Sequence, residues 1–123
     1  LDNMRENKKI KVFNKGNMLR DFTYIDDVIE GITNVIKTKF KSNHEVLNIG
    51  KGKPDQLMHL INLLEENYKK KFKINFTKNI PLGDIKKTFS NVDKAKKKIN
   101  WKPKVSLKVG IEQFVKWYKL NND

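Results

Sequence analysis

Apolar positions along the chain follow two periods, and they predict alternating strands and helices. Ile10 to Phe13 is a short apolar-rich strand candidate, and from Asp21 to Ile25 the aromatics Phe22 and Tyr24 alternate with their neighbours in a β-favouring run. "EVLNI", Glu45 to Ile49, and "FKINF", Phe72 to Phe76, read as two further strands. Helical spacing takes over at Val28, Ile29, Ile32, Val35 and Ile36, which share one face and predict an amphipathic helix to about Lys37. Asp26 or Asp27 would cap it, because a short carboxylate accepts from the free N–H groups of a first helical turn. Gly31 costs this helix about 1 kcal/mol relative to alanine, which predicts another backbone packed closely against it.

A second helix is expected from Pro54 or Asp55, with Leu57, Leu60, Ile61, Leu64 and Tyr68 on one stripe. Asp93 would cap a short basic helix, and Ser106 a final one presenting Leu107, Ile111, Phe114, Val115 and Tyr118. Asp2 to Asn7 reads as the tail of a helix. Asn14-Lys15-Gly16-Asn17, Gly50 to Pro54 and Pro81 to Asp84 carry turn chemistry, since Asn and Gly tolerate positive φ. With no repeat and no low-complexity linker, the mixed order places residues 1–123 in a single domain of α/β or α+β class.

Composition adds limits. At 123 residues and 37% hydrophobic, the chain is expected to bury roughly two-thirds of its unfolded surface. Without cysteine it has neither disulfides nor thiolate metal sites, and no apolar run approaches the roughly 20 residues of a membrane span, so a cytoplasmic chain is expected. The opening on Leu1 predicts a fragment. A net charge of +13 points toward phosphate, nucleic acid or an acidic surface. Its lysines are scattered over every segment, however, as on solvated faces, and no arginine–aromatic stacking surface accompanies them. A free-standing nucleic-acid-binding domain is therefore the alternative reading, not the first.

Only two of the 27 basic residues are arginines, Arg5 and Arg20. A guanidinium presents a planar fork that binds phosphate or carboxylate bidentately, which lysine cannot reproduce. Arg20, directly before the alternating run, serves such an anion or pairs with Asp21, Asp26 or Asp27; local sequence leaves both open. Gly50-x-Gly52 invites a phosphate-loop reading, but G-x-G-x-x-G requires a glycine where Asp55 stands, so a tight turn is expected. His44 and His59 lack metal-ligand spacing and are expected at the surface. Asp84, after Gly83, could bind hydroxyls or complete an ordinary turn.

Taken together, "VFNKGNMLRDFTYIDDVIEGI", "EVLNIGKGKPDQLMHLINLLE" and "PLGDIKKTFSNVDKAKKKINWKPKVSLKVGIEQFVKWY" resemble the C-terminal portion of extended short-chain dehydrogenases acting on nucleotide sugars. The nearest likeness is to UDP-glucuronate 4-epimerases and related NAD-dependent epimerase/dehydratases. The resemblance implies the substrate-binding part of an α/β Rossmann-type enzyme: Lys11, Val12 and Phe13 along the uracil and ribose, Arg20 on the diphosphate, and Gly83-Asp84 on ribose hydroxyls. It also implies a cytoplasmic homodimer in which NAD is held by an N-terminal Rossmann part that this chain lacks. Many relatives carry an arginine where Pro81 stands, leaving Lys78, Lys86 or Lys87 to compensate as less directional charges. The family's Tyr-x-x-x-Lys pair is missing, because Val28, Phe72 and Asn122 stand four positions after Tyr24, Tyr68 and Tyr118. No catalytic residue is therefore expected here.

Overall fold

A computed structural model describes residues 1–122. Helix α1 (Asp2–Arg5) leads into strand β1 (Lys9–Val12), which pairs in parallel with β4 (Lys73–Phe76) in the register Lys9↔Lys73 to Val12↔Phe76. After β1 a 3-10 turn, Phe13–Gly16, holds Asn14, Lys15 and Gly16 at positive φ, where glycine alone is free of a side-chain penalty. Strand β2 (Leu19–Arg20) then pairs antiparallel with β3 (Asp55–Gln56), with Arg20 opposite Asp55. Helices α2 (Ile25–Lys37), α3 (Leu57–Tyr68), α4 (Asp93–Ile99) and α5 (Leu107–Asn122) complete the order.

Several expectations change. The run from Asp21 to Ile25 forms no ladder beyond Arg20: the Asp21 N–H donates to the Thr88 hydroxyl (2.9 Å), and α2 already begins at Ile25. Glu45 to Ile49 is likewise outside any ladder among the described residues. Residues 55 and 56 belong to β3, so α3 starts at Leu57 and not at Pro54 or Asp55. Asp93 does not cap α4; the Asn91 side chain accepts the Asp93 N–H (2.9 Å) instead. Ser106 does cap α5, its Oγ accepting from Val109 N–H at 3.3 Å.

The largest correction concerns α2. Neither Asp26 nor Asp27 caps it: Tyr24 occupies the N-cap position without a side-chain bond. Asp27 is buried, and its carboxylate accepts the backbone N–H groups of Lys104 and Val105, both at 3.0 Å. Gly31 packs against side chains rather than backbone, since a Cβ there would lie 3.0 Å from Ile49 Cδ1 and 3.3 Å from the Trp101 indole nitrogen. Ile29, Ile32 and Ile36 of the predicted apolar face point outward.

The core gathers around Val92, Ala95, Ile99 and fully buried Trp101, with Phe40, Leu47 and Ile49 packed on it. A second layer pairs α3 with α5, where Tyr68 and Tyr118 meet edge to face at 6.1 Å. The Tyr118 hydroxyl donates to the Asp2 carboxylate, which ties α5 to α1 and pushes the phenol up to about 12. Leu63 and Glu65 of α3 are buried beside the expected Ile61. Burial pushes the Glu65 carboxyl up, but the Lys71 ammonium (2.6 Å) and the Phe72 N–H (2.9 Å) outweigh it and leave the group below its ordinary value. A depressed folded pKa contributes stability that is present above the ordinary 4.5 and lost as pH falls through the folded value. Thermal melting from neutral to acid pH should therefore show a falling midpoint below that range. In Glu65→Gln this part of the acid dependence should disappear; an unchanged acid slope in the variant would contradict the assignment.

Candidate functional site around Arg20

The site starts from backbone. Leu19 N–H donates to the Lys86 carbonyl (2.9 Å) and Thr88 N–H to the Leu19 carbonyl (3.1 Å), which lays residues 86–88 against β2. The turn just before them is closed by Asp84 N–H donating to the Pro81 carbonyl at 3.0 Å, with Gly83 at φ +85°. Arg20 therefore emerges beside the Gly83-Asp84 turn. Its Nη2 donates to Asp84 Oδ1 at 2.6 Å and its Nη1 to the Leu19 carbonyl at 2.9 Å. Of the two readings open for Arg20, pairing with Asp21, Asp26 or Asp27 does not occur; its acidic partner lies 64 residues away.

The pair is not sealed. Asp84 Oδ1 also accepts the Ile85 N–H (2.8 Å), while Oδ2 has no hydrogen bond among the described residues. The side chains of Arg20 and Asp84 are 22% and 37% exposed, so both still reach solvent. Open space lies over Gly83, with no atom within 4 Å of where a Cβ would sit. Lys78, Lys86 and Lys87 are exposed and carry no ion pair among the described residues. The arrangement is a directional cation beside an acceptor, in a field of mobile positive charge, which suits an anion carrying hydroxyls.

Lys11 to Phe13 reach this region by connection rather than by direct contact. Thr77 N–H donates to the Val12 carbonyl (2.9 Å) and Lys15 N–H to the Thr77 carbonyl (2.8 Å), so the end of β1 borders the segment that leads from β4 to Pro81. Lys11 is exposed, with its ammonium 5.4 Å from the Phe13 ring centroid, whereas the Val12 side chain is buried. Only the backbone of Val12 is left to face a ligand. No hydrogen bond or ion pair among the described residues links Lys11, Val12 or Phe13 to Arg20.

Asp21 holds the frame behind Arg20. Its Oδ2 accepts from Gly52 N–H (3.1 Å) and Ser90 N–H (2.9 Å), joining β2 to the glycine turn and to the segment before α4. These partners lie 31 and 69 residues away, too remote for local sequence to name. The same bonds decide the Gly50-x-Gly52 question: Gly52, at φ +71°, has spent its N–H on Asp21, and a Cβ on Gly50 would lie 2.5 Å from Ser90 Cβ. This turn is filled by the protein itself and does not fit a dinucleotide phosphate. A hollow of about 290 Å³ is apolar and lined by residues that include Phe22, Tyr24, Leu60, Leu107 and Phe114; Arg20 is not part of it.

Comparison with known proteins follows the same lines. Residues 2–114 match the profile of the family described as GDP-mannose 4,6 dehydratase. The chain belongs to this family. An uncharacterised protein of Methanocaldococcus jannaschii is 42% identical over 94% of the chain and 35% of its own length. The UDP-glucuronate 4-epimerase of Thermodesulfobacterium geofontis is 38% identical over the same shares. The crystal structure of UDP-glucuronic acid 4-epimerase from Bacillus cereus, in complex with UDP-glucuronic acid and NAD, superposes with a TM-score of 0.86 at 35% identity, covering 97% of this chain and 38% of that one. The family membership bears out the expected resemblance to the C-terminal part of an extended short-chain dehydrogenase and the α/β, Rossmann-type class. The chain spans little more than a third of the length of these relatives. Nothing in them favours a nucleic-acid surface, and Glu6, Asp55, Glu65, Glu45 and Glu30 draw six of the lysines into ion pairs. No described helix is long and apolar enough to cross a membrane.

Proposed function

We propose that this chain is the nucleotide-binding portion of a cytoplasmic, homodimeric, NAD-dependent UDP-sugar 4-epimerase, acting on UDP-glucuronate or UDP-glucose. The observation that carries the reading is the meeting of Arg20 with the Gly83-Asp84 turn across 64 residues of sequence, at 2.6 Å. Arg20 still has N–H groups to offer a diphosphate, while Asp84 Oδ2 is available to accept from ribose hydroxyls. One bound nucleotide engages both without breaking their mutual bond. Lys86 and Lys87, beside Leu19, add charge where the family's second arginine is replaced by Pro81. Lys11 and Phe13 flank the base and ribose, and Val12 contributes backbone.

The sugar would be positioned from its nucleotide end, so that remote binding energy orients the reacting carbon. NAD supplies the hydride chemistry from another portion of the enzyme, since the glycine turn of this one is filled. Calorimetric titration with UDP should show affinity at least about tenfold weaker in Arg20→Ala, or about 1.4 kcal/mol. Arg20→Lys should restore only part of it, because an ammonium lacks the fork. Equal affinity in all three proteins would overturn the assignment.

A further inference from the structure

Arg20 stands between two carboxylates and takes one of them. On one edge of β2 runs β3, where Asp55 is the register partner of Arg20. On the other edge Leu19 bridges to Lys87, in the segment that leaves the Gly83-Asp84 turn. Side chains directly opposite in an antiparallel pair rise from the same face, with Cβ atoms about 4.5–5.5 Å apart, so the Asp55 carboxylate is within reach of an arginine fork. Yet Nη2 goes to Asp84 and Nη1 to the Leu19 carbonyl, and no hydrogen bond or ion pair among the described residues joins Arg20 to Asp55.

Asp55 is already held. Lys51 Nζ donates to its Oδ2, and Nδ1 of the half-exposed His59 lies 3.7 Å from its Oδ1. The Lys51 and Asp55 side chains are only 15 and 18% exposed, whereas in every other lysine ion pair among the described residues the lysine is half exposed or more. A carboxylate so enclosed needs a counter-charge, and an ammonium, as a compact point charge, can meet one oxygen without a fork. The backbone fixes where that ammonium starts. Lys51 follows Gly50, which is packed against Ser90, and precedes Gly52, whose N–H is bound to Asp21. The glycine turn, too full for a phosphate, thus presents one lysine to one carboxylate.

We propose that Lys51 is a positioning residue for Arg20: by occupying Asp55, it leaves the guanidinium turned toward the Gly83-Asp84 turn, where a diphosphate is gripped. This rests on the reading of Arg20 as the diphosphate ligand. Asp55 is less exposed than Asp84, 18 against 37%, so its charge is less screened and it is the stronger competitor for an unclaimed cation. Without Lys51, Asp55 keeps only the loose contact with His59, and the fork across the ladder is drawn to it. Arg20 then stays in its strand and stays charged, but faces away from the ligand.

Two lysines of one turn make the test. Lys51→Met removes the ammonium that holds Asp55; Lys53→Met removes the same charge from an exposed side chain with no ion pair among the described residues. The readouts are the Arg20 Nε–H signal of the ligand-free, 15N-labelled chain, with Arg5 as reference, and calorimetric titration with UDP. Lys51→Met should move the Arg20 signal, leave that of Arg5 in place and weaken UDP binding at least about tenfold. Lys51→Met/Asp55→Asn should bring the signal back and restore the affinity to within about threefold of the wild type, because the competing carboxylate is gone. Lys53→Met should leave the signal unmoved and change the affinity by less than about threefold. An Arg20 signal unmoved by Lys51→Met would overturn the proposal, and so would equal losses in Lys51→Met and Lys53→Met, which would make Lys51 a mere part of the overall field. A double variant no better than Lys51→Met would also overturn it, since misfolding or a direct phosphate contact would then explain the loss. The ligand-free spectra keep the two readings apart: a signal that moves in Lys51→Met and returns in the double variant, in a chain that binds no UDP, would overturn the nucleotide assignment and leave the positioning of Arg20 standing.

Discussion

Replacing Trp101 with alanine should lower the unfolding free energy by about 3–5 kcal/mol, the usual cost of removing a large buried aromatic. Trp101 is fully buried among Val92, Ala95, Ile99, Phe40, Leu47 and Ile49, and these elements converge on no other side chain of comparable volume. Its indole N–H also donates to the Asp27 carbonyl at 2.8 Å, so truncation removes a donor from a buried acceptor as well as opening a void. Set against a typical domain stability of about 5–15 kcal/mol, a loss of this size unfolds a large share of the population on mild warming. Trp101→Phe fills most of the space but forfeits the hydrogen bond, so it should lose less than half as much. Urea unfolding gives the values; a cost below about 1 kcal/mol for Trp101→Ala would show that the cluster is not the core.

The second large effect belongs to Asp27. Asp27→Ala leaves two part-buried backbone N–H groups, on Lys104 and Val105, without an acceptor, at up to about 1–3 kcal/mol each. Asp27→Asn keeps one acceptor oxygen but turns an amide N–H toward the other donor, so it should fall between the wild type and alanine. Asp27 and Trp101 fasten the same face of α2, one to the 104–105 segment and the other to the core. Their effects should therefore not add: the double variant should depart from the sum of the singles by about 0.5–3 kcal/mol. Simple additivity would mean that α2 is not held as one unit. Through Gly31 and Ile49 this fastening also sets the approach to Gly50 and Gly52, whose contact with Asp21 frames Arg20.

Helices α2, α3 and α5 and strands β1 and β4 were legible because their apolar periodicity is local. The Ser106 cap was legible for the same reason, its acceptor and donor being three residues apart. Asp27 was misread because its position beside a helix start imitates a cap, while its real partners lie 77 and 78 residues on. The strand patterns at Asp21 to Ile25 and Glu45 to Ile49 were sound as patterns but have no ladder partner among the described residues. For α2, periodicity gave the apolar face but not its direction, since a hydrophobic stripe does not say which body it will meet. Arg20 and Asp84 were both singled out, the first as a lone fork in a lysine-rich chain and both through the family resemblance. That they touch each other could be known only from the fold. The partners of Asp21, which frames them, carry no local signal.

The central claim is that Arg20 grips the diphosphate of a UDP-sugar, and the scarcity of arginine allows it to be watched directly. In a 15N-labelled protein the arginine side-chain Nε–H region contains signals from Arg5 and Arg20 alone. Titration with UDP should move the Arg20 signal saturably, leave Arg5 in place, and produce no such response in Arg20→Lys. An Arg20 signal that stays fixed while UDP binds, or one that moves together with Arg5 as bulk charge screening would require, would contradict the account.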